Sequence, residues 1–394
     1  MTHQSLHVLS NGHGEDEIAC KIIDAIQAYR PCHIRISAWA MVGAGLAFRR
    51  RGISLEGPAN LLPGEGFGTH TLRGFLRDLK AGFITTHLTQ VRHALALRGK
   101  HDLLLGVGDV VPLLAGQLAD TPMAFVACAK SAYYGGFDGH TPLERYLMRK
   151  NCVDVFSRDA LTNFGFIRNG VASRYVGNPM MDGLSARILC KLPRGMRGVA
   201  LLPGSRADAV ANALFLMTTS ARLLTIDPSL IVMMACPPGM NAISVASAAC
   251  VEGYWSLKHA KDPEQVEVAH KSGGKALLVV GAISKVLQSC EIAVGMAGTA
   301  NEQAVGLGLP LITLPGLGNQ GKAYQRMKSR YFGDSALAVE RNPDKLNQEI
   351  LGLLNNPART KLMVAAGKAR MGAPGASDAI AKVLIARLQG QILQ

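Results

Sequence analysis

The stretch Leu6-His7-Val8-Leu9-Ser10-Asn11-Gly12-His13-Gly14-Glu15-Asp16 decides how this chain is read. A short, mostly apolar run over 6–10 gives way to a glycine-rich turn, and then to a helical pattern over 16–29. Such a run bounded by turn residues reads as a buried strand. The acidic pair Glu15 and Asp16 suits the first turn of a helix. Strand, glycine turn and helix together form the opening unit of an α/β sheet.

The unit recurs outward from there. Strands are predicted at 33–38, 102–105, 123–127, 153–157 and 173–176. A second series follows at 199–202, 230–235, 276–280, 292–294, 310–314 and 336–339. Helical patterns lie between many of them, for example over 72–98 and 301–307. Alternation of this kind predicts parallel sheets covered on both faces. The break falls near 185–198, so the expected domains are 1–190 and 191–394 around a central cleft, with the last helix free to pack back on the first domain. Ligands bind such sheets beyond the carboxyl ends of the strands, so the turns there are the places to seek chemistry.

Composition narrows the function. The 394 residues are 48% hydrophobic and 18% charged, which excludes a disordered chain. Aromatics are only 5%, which argues against a base-stacking platform for RNA. The net charge is +14, spread as +5 over 1–190 and +9 over 191–394. That excess suits an anionic partner such as nucleotide phosphates or an acidic membrane, although an ordinary solvated surface gives the same balance. Charge alone makes a poor case for nucleic acid, and none is expected. The eight cysteines form no C-x-x-C pair, so no zinc ribbon is expected, and no metal site is assigned. The first residues lack a signal-peptide pattern. The nearest approach to a membrane-spanning run, 103–118, is interrupted by Asp109 and Pro112. A cytoplasmic chain with at most peripheral membrane contact is expected.

Three turns stand out. In the first, His13 sits between Gly12 and Gly14, where an imidazole is hard to bury and can act as a general base. In the second, Leu202-Pro203-Gly204-Ser205-Arg206 offers backbone N–H groups, a hydroxyl and a guanidinium, a set that matches a diphosphate. In the third, Gly298, Thr299 and Ala300 open a helix with small residues that admit a phosphate, and Glu302 follows in its first turn. Asp109 ends a strongly apolar strand and reads either as a base, as a group orienting His13, or as a helix N-cap. Lys130, Tyr133 and Tyr134 follow the next strand. A basic amphipathic stretch carries Arg73, Arg77, Lys80, Arg92, Arg98 and Lys100, and reads equally as a membrane-facing or a packed helix. Gly316-Leu317-Gly318-Asn319-Gln320-Gly321 fits a dinucleotide fingerprint with Glu340 further on. It nearly fits a P-loop, but Ala323 replaces the hydroxyl residue that would hold Mg²⁺.

Leu201 to Arg206, Gly177-Asn178-Pro179-Met180-Met181-Asp182 and Gly298-Thr299-Ala300 with Glu302 resemble motifs of lipid-A-disaccharide synthases. With Ser10 to Asp16, Gly108 to Pro112 and Ala129-Lys130-Ser131, the chain looks most like the proteins related to those synthases. That resemblance implies a GT-B fold of two Rossmann-like domains, and an inverting, metal-independent transfer from a UDP-sugar to a lipid acceptor with no cofactor. It implies donor contacts from Gly204, Ser205, Arg206, Gly298, Thr299, Ala300, Glu302, Gln303 and Gln320, with Glu302 on the ribose. His13 becomes the base and Asp109 its support or substitute. Gly12, Gly14, Glu15, Lys130 and Tyr133 fall on the acceptor side. The inner face of the cell membrane is the implied place of work. Asn178 stands where the synthases have histidine, so a lipid other than a lipid A precursor is expected. The alternatives are a UDP-sugar 2-epimerase of the same architecture and a dinucleotide-binding protein.

Overall fold

The computed structural model describes residues 4–30, 33–58, 83–135, 139–184, 192–258, 262–317 and 321–390. The chain divides into two compact units. Unit 1 takes Met1–Asp182 and Ala373–Gln394, and unit 2 takes Gly183–Gly372. The first crossing thus falls at Asp182, ahead of the expected break at 190.

Unit 1 holds β1 (Gln4–Ser10), β2 (Ile34–Ala40), β3 (Ser54–Leu55), β4 (Leu103–Val107), β5 (Met123–Ala127), β6 (Cys152–Ser157) and β7 (Ser173–Arg174). They form one sheet in the order β3-β2-β1-β4-β5-β6-β7. Every pairing is parallel. β4 and β5 are buried along their whole length, as expected for apolar strands with both faces covered. The helices are α1 (His13–Ala28), α2 (Leu46–Arg50), α3 (Phe83–Ala96), α4 (Val110–Ala119), α5 (Pro142–Asn151) and α6 (Ala160–Arg168). In α1, Ile18, Ile22 and Ile26 recur at four-residue spacing and are fully or almost fully buried. Each contributes about 1.5–3 kcal/mol by leaving water. The described part of the predicted 72–98 helix is α3. Arg73, Arg77 and Lys80 lie outside the described residues.

Unit 2 holds β8 (Arg197–Leu202), β9 (Leu230–Cys236), β10 (Trp255–Leu257), β11 (Gln265–His270), β12 (Lys275–Val280), β13 (Ile292–Gly295), β14 (Leu311–Thr313) and β15 (Ala336–Ala338). Their order is β10-β11-β12-β9-β8-β13-β14-β15. Two pairings correct the expectation of a purely parallel sheet: β10 with β11 and β11 with β12 are antiparallel. Its helices are α7 (Ala209–Ile226), α8 (Ala242–Cys250), α9 (Ile283–Gln288), α10 (Thr299–Gly306), α11 (Lys322–Phe332), α12 (Pro343–Leu354) and α13 (Pro357–Met371). α7 has 18 residues and a mean hydropathy of 1.4, enough by length and composition to cross a membrane. Its Ala213, Leu216, Met217, Leu223 and Leu224 instead fill the unit 2 core.

α14 (Ala376–Leu388) returns to unit 1. It has no capping side chain of its own; Asp182 supplies one, accepting from the Ser377 N–H at 2.7 Å and from the Gly375 N–H. At its far end Arg387 Nε donates to Asp154 Oδ2 at 2.9 Å, and Arg174 donates to Oδ1 of the same buried carboxylate at 2.8 Å. Two guanidinium groups offset the cost of burying that charge.

Candidate functional site

In each sheet the first strand is flanked by strands reached in opposite directions along the chain, and at such a reversal of parallel strands the loops part to leave a crevice. In unit 1 it lies between β1 and β4. In unit 2 it lies between β8 and β13. The first and second turns and the third fall at these two points.

In unit 1 the turn after β1 is held by three contacts. Ser10 Oγ donates to Asp16 Oδ1 at 2.5 Å. Asn11 Nδ2 donates to Asp109 Oδ1, also at 2.5 Å. His13 opens α1 and its ring lies over Gly43, where an added Cβ would come within 2.5 Å of Cε1. Gly43 has φ +78°, a conformation that already favours glycine. The imidazole is exposed, whereas Asp16 is buried. Burial pushes the Asp16 carboxyl up to about 6, against the opposing pull of the Ser10 hydrogen bond and of His13. Gly12 and Gly14 flank His13, and Glu15 stands half-buried in the first turn of α1.

Asp109 is the N-cap of α4: its Oδ1 also accepts from the Val111 N–H at 2.9 Å. One oxygen therefore serves both the helix and Asn11. Lys130 follows β5 and is ion-paired with both oxygens of the buried Glu144 at 2.8 Å. Glu144 in turn closes a capping box with Thr141 at the start of α5. Tyr133 is half-buried in the turn capped by Ser131, whose Oγ donates to the buried Asp159 at 2.7 Å.

In unit 2 the backbone joins the two turns. Leu202 and Gly295 are paired, and the Met296 N–H donates to the Leu202 carbonyl at 2.9 Å. Gly204 has φ +93°, Ser205 is exposed and Arg206 is half-buried. Across from them α10 begins at Thr299 with Gly298 as its N-cap and no capping side chain. The small residues Gly298 and Ala300 are half-buried and Thr299 is exposed. Gln303 is half-buried one residue beyond Glu302. Glu302 itself is only 2% exposed, and Lys328 Nζ of α11 lies 2.6 Å from its Oε1. Gln320 lies outside the described residues.

Several partners in this unit were not singled out from sequence. Lys328 is one. Arg341, after β15, is another: it donates to Asn212 Oδ1 at 3.0 Å and lies 4.3 Å over the Phe215 ring. Asn212 donates to the Pro203 carbonyl at 3.1 Å, so Arg341 braces the turn after β8 at second hand. Gln325 Nε2 clamps the Thr313 and Val339 carbonyls at 2.7 and 3.0 Å. By contrast, the fingerprint over 316–321 opens after β14, which has β13 and β15 as neighbours and is not a reversal point. Glu340, its expected ribose partner, is exposed and pairs with Lys345 at 2.9 Å.

Two doubly wound units with these reversal points define the class: the chain has the GT-B fold. Among solved structures, MurG of Acinetobacter baumannii matches with a TM-score of 0.59 at 15% identity, covering 97% of this chain and 99% of that one. The UDP-GlcNAc 2-epimerase of Methanocaldococcus jannaschii, in complex with UDP-GlcNAc and UDP, matches with a TM-score of 0.54 at 17% identity over 97% and 99%. No protein-family model matches the chain. In sequence, the lipid-A-disaccharide synthase of Syntrophus aciditrophicus (strain SB) is 25% identical over 232 residues, 53% of this chain and 56% of that protein. The match thus spans about half the length of that relative. The chain thus has the GT-B fold and, over about half its length, is similar in sequence to a lipid-A-disaccharide synthase.

Proposed function

We propose that the chain is an inverting glycosyltransferase that moves a sugar from a UDP-sugar to a lipid acceptor at an anionic membrane surface. One observation carries this reading. The Gly204-Ser205-Arg206 turn and the uncapped start of α10 stand side by side at the β8/β13 reversal, joined by the Met296–Leu202 hydrogen bond. The free N–H groups of a helix start and an arginine in the adjoining turn suit a leaving diphosphate. Similarity to a structure solved with UDP-GlcNAc and UDP supports a uridine nucleotide as the ligand.

In this mechanism unit 2 binds the donor. Arg206, Ser205 and the N–H groups of α10 stabilise the negative charge that grows on the departing diphosphate. Glu302 accepts from the ribose hydroxyls, with Lys328 fixing its carboxylate. Unit 1 provides the acceptor side, where His13 removes the proton of the acceptor hydroxyl. Asp109, through Asn11, holds the turn that carries His13. The reaction needs no metal or organic cofactor in this scheme.

The lipid acceptor is supported by α3. Leu88, Val91 and Leu95 recur at helical spacing and are 53%, 42% and 40% exposed, beside exposed Arg92 and Arg98. Gln90, Ala94 and Leu97 take the buried positions instead. An exposed apolar stripe edged by arginine suits a peripheral contact with acidic lipid on the cytoplasmic face of the membrane.

The test is a thermal-shift series with UDP, UDP-sugars, NAD, NADP and ATP. A ligand at ~100 times its dissociation constant adds about 2.7 kcal/mol to the folded state. Stabilisation by UDP and one UDP-sugar is expected, followed by transfer of that sugar to lipid extracts. Stabilisation by NAD or ATP alone overturns the reading. A second reading, UDP-sugar 2-epimerisation, is favoured by the epimerase match. It predicts isomerised donor with no acceptor present.

A further inference from the structure

Unit 1 holds a cluster of histidines that the proposed transfer does not use. His7 lies on β1, His101 just ahead of β4, and Glu56 just beyond β3. One ligand atom from each lies within 4.8 Å of the other two. We propose that His7, His101 and Glu56 bind a divalent transition metal ion of the zinc class.

The state of the nitrogens carries the argument. His7 is fully buried, and its Nε2 has no hydrogen-bond partner among the described residues. Its Nδ1 lies 2.7 Å from Ser37 Oγ. With the proton on Nδ1 and donated to Ser37, the Nε2 lone pair points into the cluster. An outer partner of this kind is how proteins orient a metal-binding imidazole. His101 is 9% exposed, and neither of its ring nitrogens has a partner among the described residues. Its ring stacks on His7 at 4.5 Å and 13°. Two buried imidazoles with three unbonded nitrogens between them are costly unless something binds there.

The donor set selects the ion. Two imidazoles and one carboxylate suit zinc and its neighbours in the first transition series, whereas calcium and magnesium prefer oxygen. Zinc–ligand bonds of about 2.0–2.2 Å bring the donors nearer one another than 4.8 Å. Closure requires the His101 ring to turn out of its near-parallel stack on His7, so that the in-plane lone pairs of the two rings converge, and the half-buried Glu56 to close in on them. A fourth position remains for water. His93 of α3 packs over the neighbouring Gly57 and edge-on to Trp39, 4.6 Å away, and walls the cluster on that side. The ion would tie the edge of the sheet at β3 to the central β1 and β4.

The experiment uses the full chain, stripped with chelator, equilibrated with zinc chloride and desalted. One zinc per chain by mass spectrometry is expected, with a rise in melting temperature that chelator reverses. Cobalt(II) in place of zinc should give visible ligand-field bands. Glu56→Gln and His101→Gln should each weaken binding by at least about tenfold, the loss found when even an outer partner is removed. Circular dichroism of the two variants checks that they fold. Wild type without retained stoichiometric metal overturns the proposal, and needs no variant. So does zinc held equally well by both folded variants, which would mark adventitious surface binding.

Discussion

Asn11 Nδ2 donates to Asp109 Oδ1 across 2.5 Å, which locks the turn after β1 to the turn after β4. That oxygen also caps α4. Asp109 is thus tied into the scaffold, while the exposed His13 ring faces solvent over Gly43. The two residues therefore predict different mutant phenotypes. His13→Ala should cut transfer by about 10²–10⁴-fold, the usual worth of a general base, with UDP affinity unchanged. Asp109→Ala should cost about 0.5–2 kcal/mol of stability through the lost cap, with a smaller loss of rate. Steady-state kinetics and denaturant melts separate them. Full activity in His13→Ala would move the base elsewhere.

Arg206 makes the turn after β8, the proposed donor site, cationic. Replacing it with alanine should weaken UDP binding by about 1.5–3 kcal/mol, the range for a hydrogen bond to a charged group. Titration calorimetry reads this directly. An unchanged dissociation constant removes the diphosphate from that turn.

Glu302 and Lys328 are a buried pair, with side chains 2% and 10% exposed. Breaking it from one side strands a charge. Lys328→Met should destabilise unit 2 by about 3–5 kcal/mol. The double change Glu302→Gln with Lys328→Met should recover much of that loss while donor affinity stays low. Equal instability in the double variant would mean that the pair is not what the single variant disturbs.

Asp16 sets a pH dependence. Its folded pKa, about 6, lies above the ordinary aspartate value, so the folded state binds the proton more tightly. The associated stability is fully present below about pH 4 and is lost as pH rises toward 6. The swing is on the order of 2–3 kcal/mol. Asp16→Asn keeps the Ser10 contact without the titration. The wild-type minus variant difference in unfolding free energy should fall over that window. A flat difference would show that Asp16 titrates normally.

The α3 stripe predicts a membrane phenotype. Leu88→Glu with Leu95→Glu should reduce sedimentation with anionic vesicles and leave activity on a soluble acceptor analogue intact. Undiminished sedimentation would assign membrane contact to another surface.

The strands with long apolar runs were legible in the sequence, because β4 and β5 are buried from end to end. So were the turns at the reversal points, since glycine after such a run has few other uses. The antiparallel edge was not. In β11 only Val266, Val268 and His270 face inward, and a six-residue alternation broken by a buried histidine gives a faint signal. β3 has two residues and no pattern at all. In sequence Asp16 has the position of a helix-dipole acid; only the fold shows it buried against Ser10. Partners distant in sequence were invisible: Lys328 stands 26 residues beyond Glu302, and Arg341 stands 129 beyond Asn212. No local pattern encodes a contact of that kind.

The return of α14 to unit 1 bears on how the protein is made. Asp182, Asp154 and Tyr29 wait for partners that the ribosome supplies only after unit 2: Ser377, Arg387 and Asp378. Unit 2, encoded between them, can complete its own core first. Synthesis therefore closes the nested unit before the one that surrounds it in the sequence. Until α14 is made, α1 lacks the helix that packs against it in the folded unit 1.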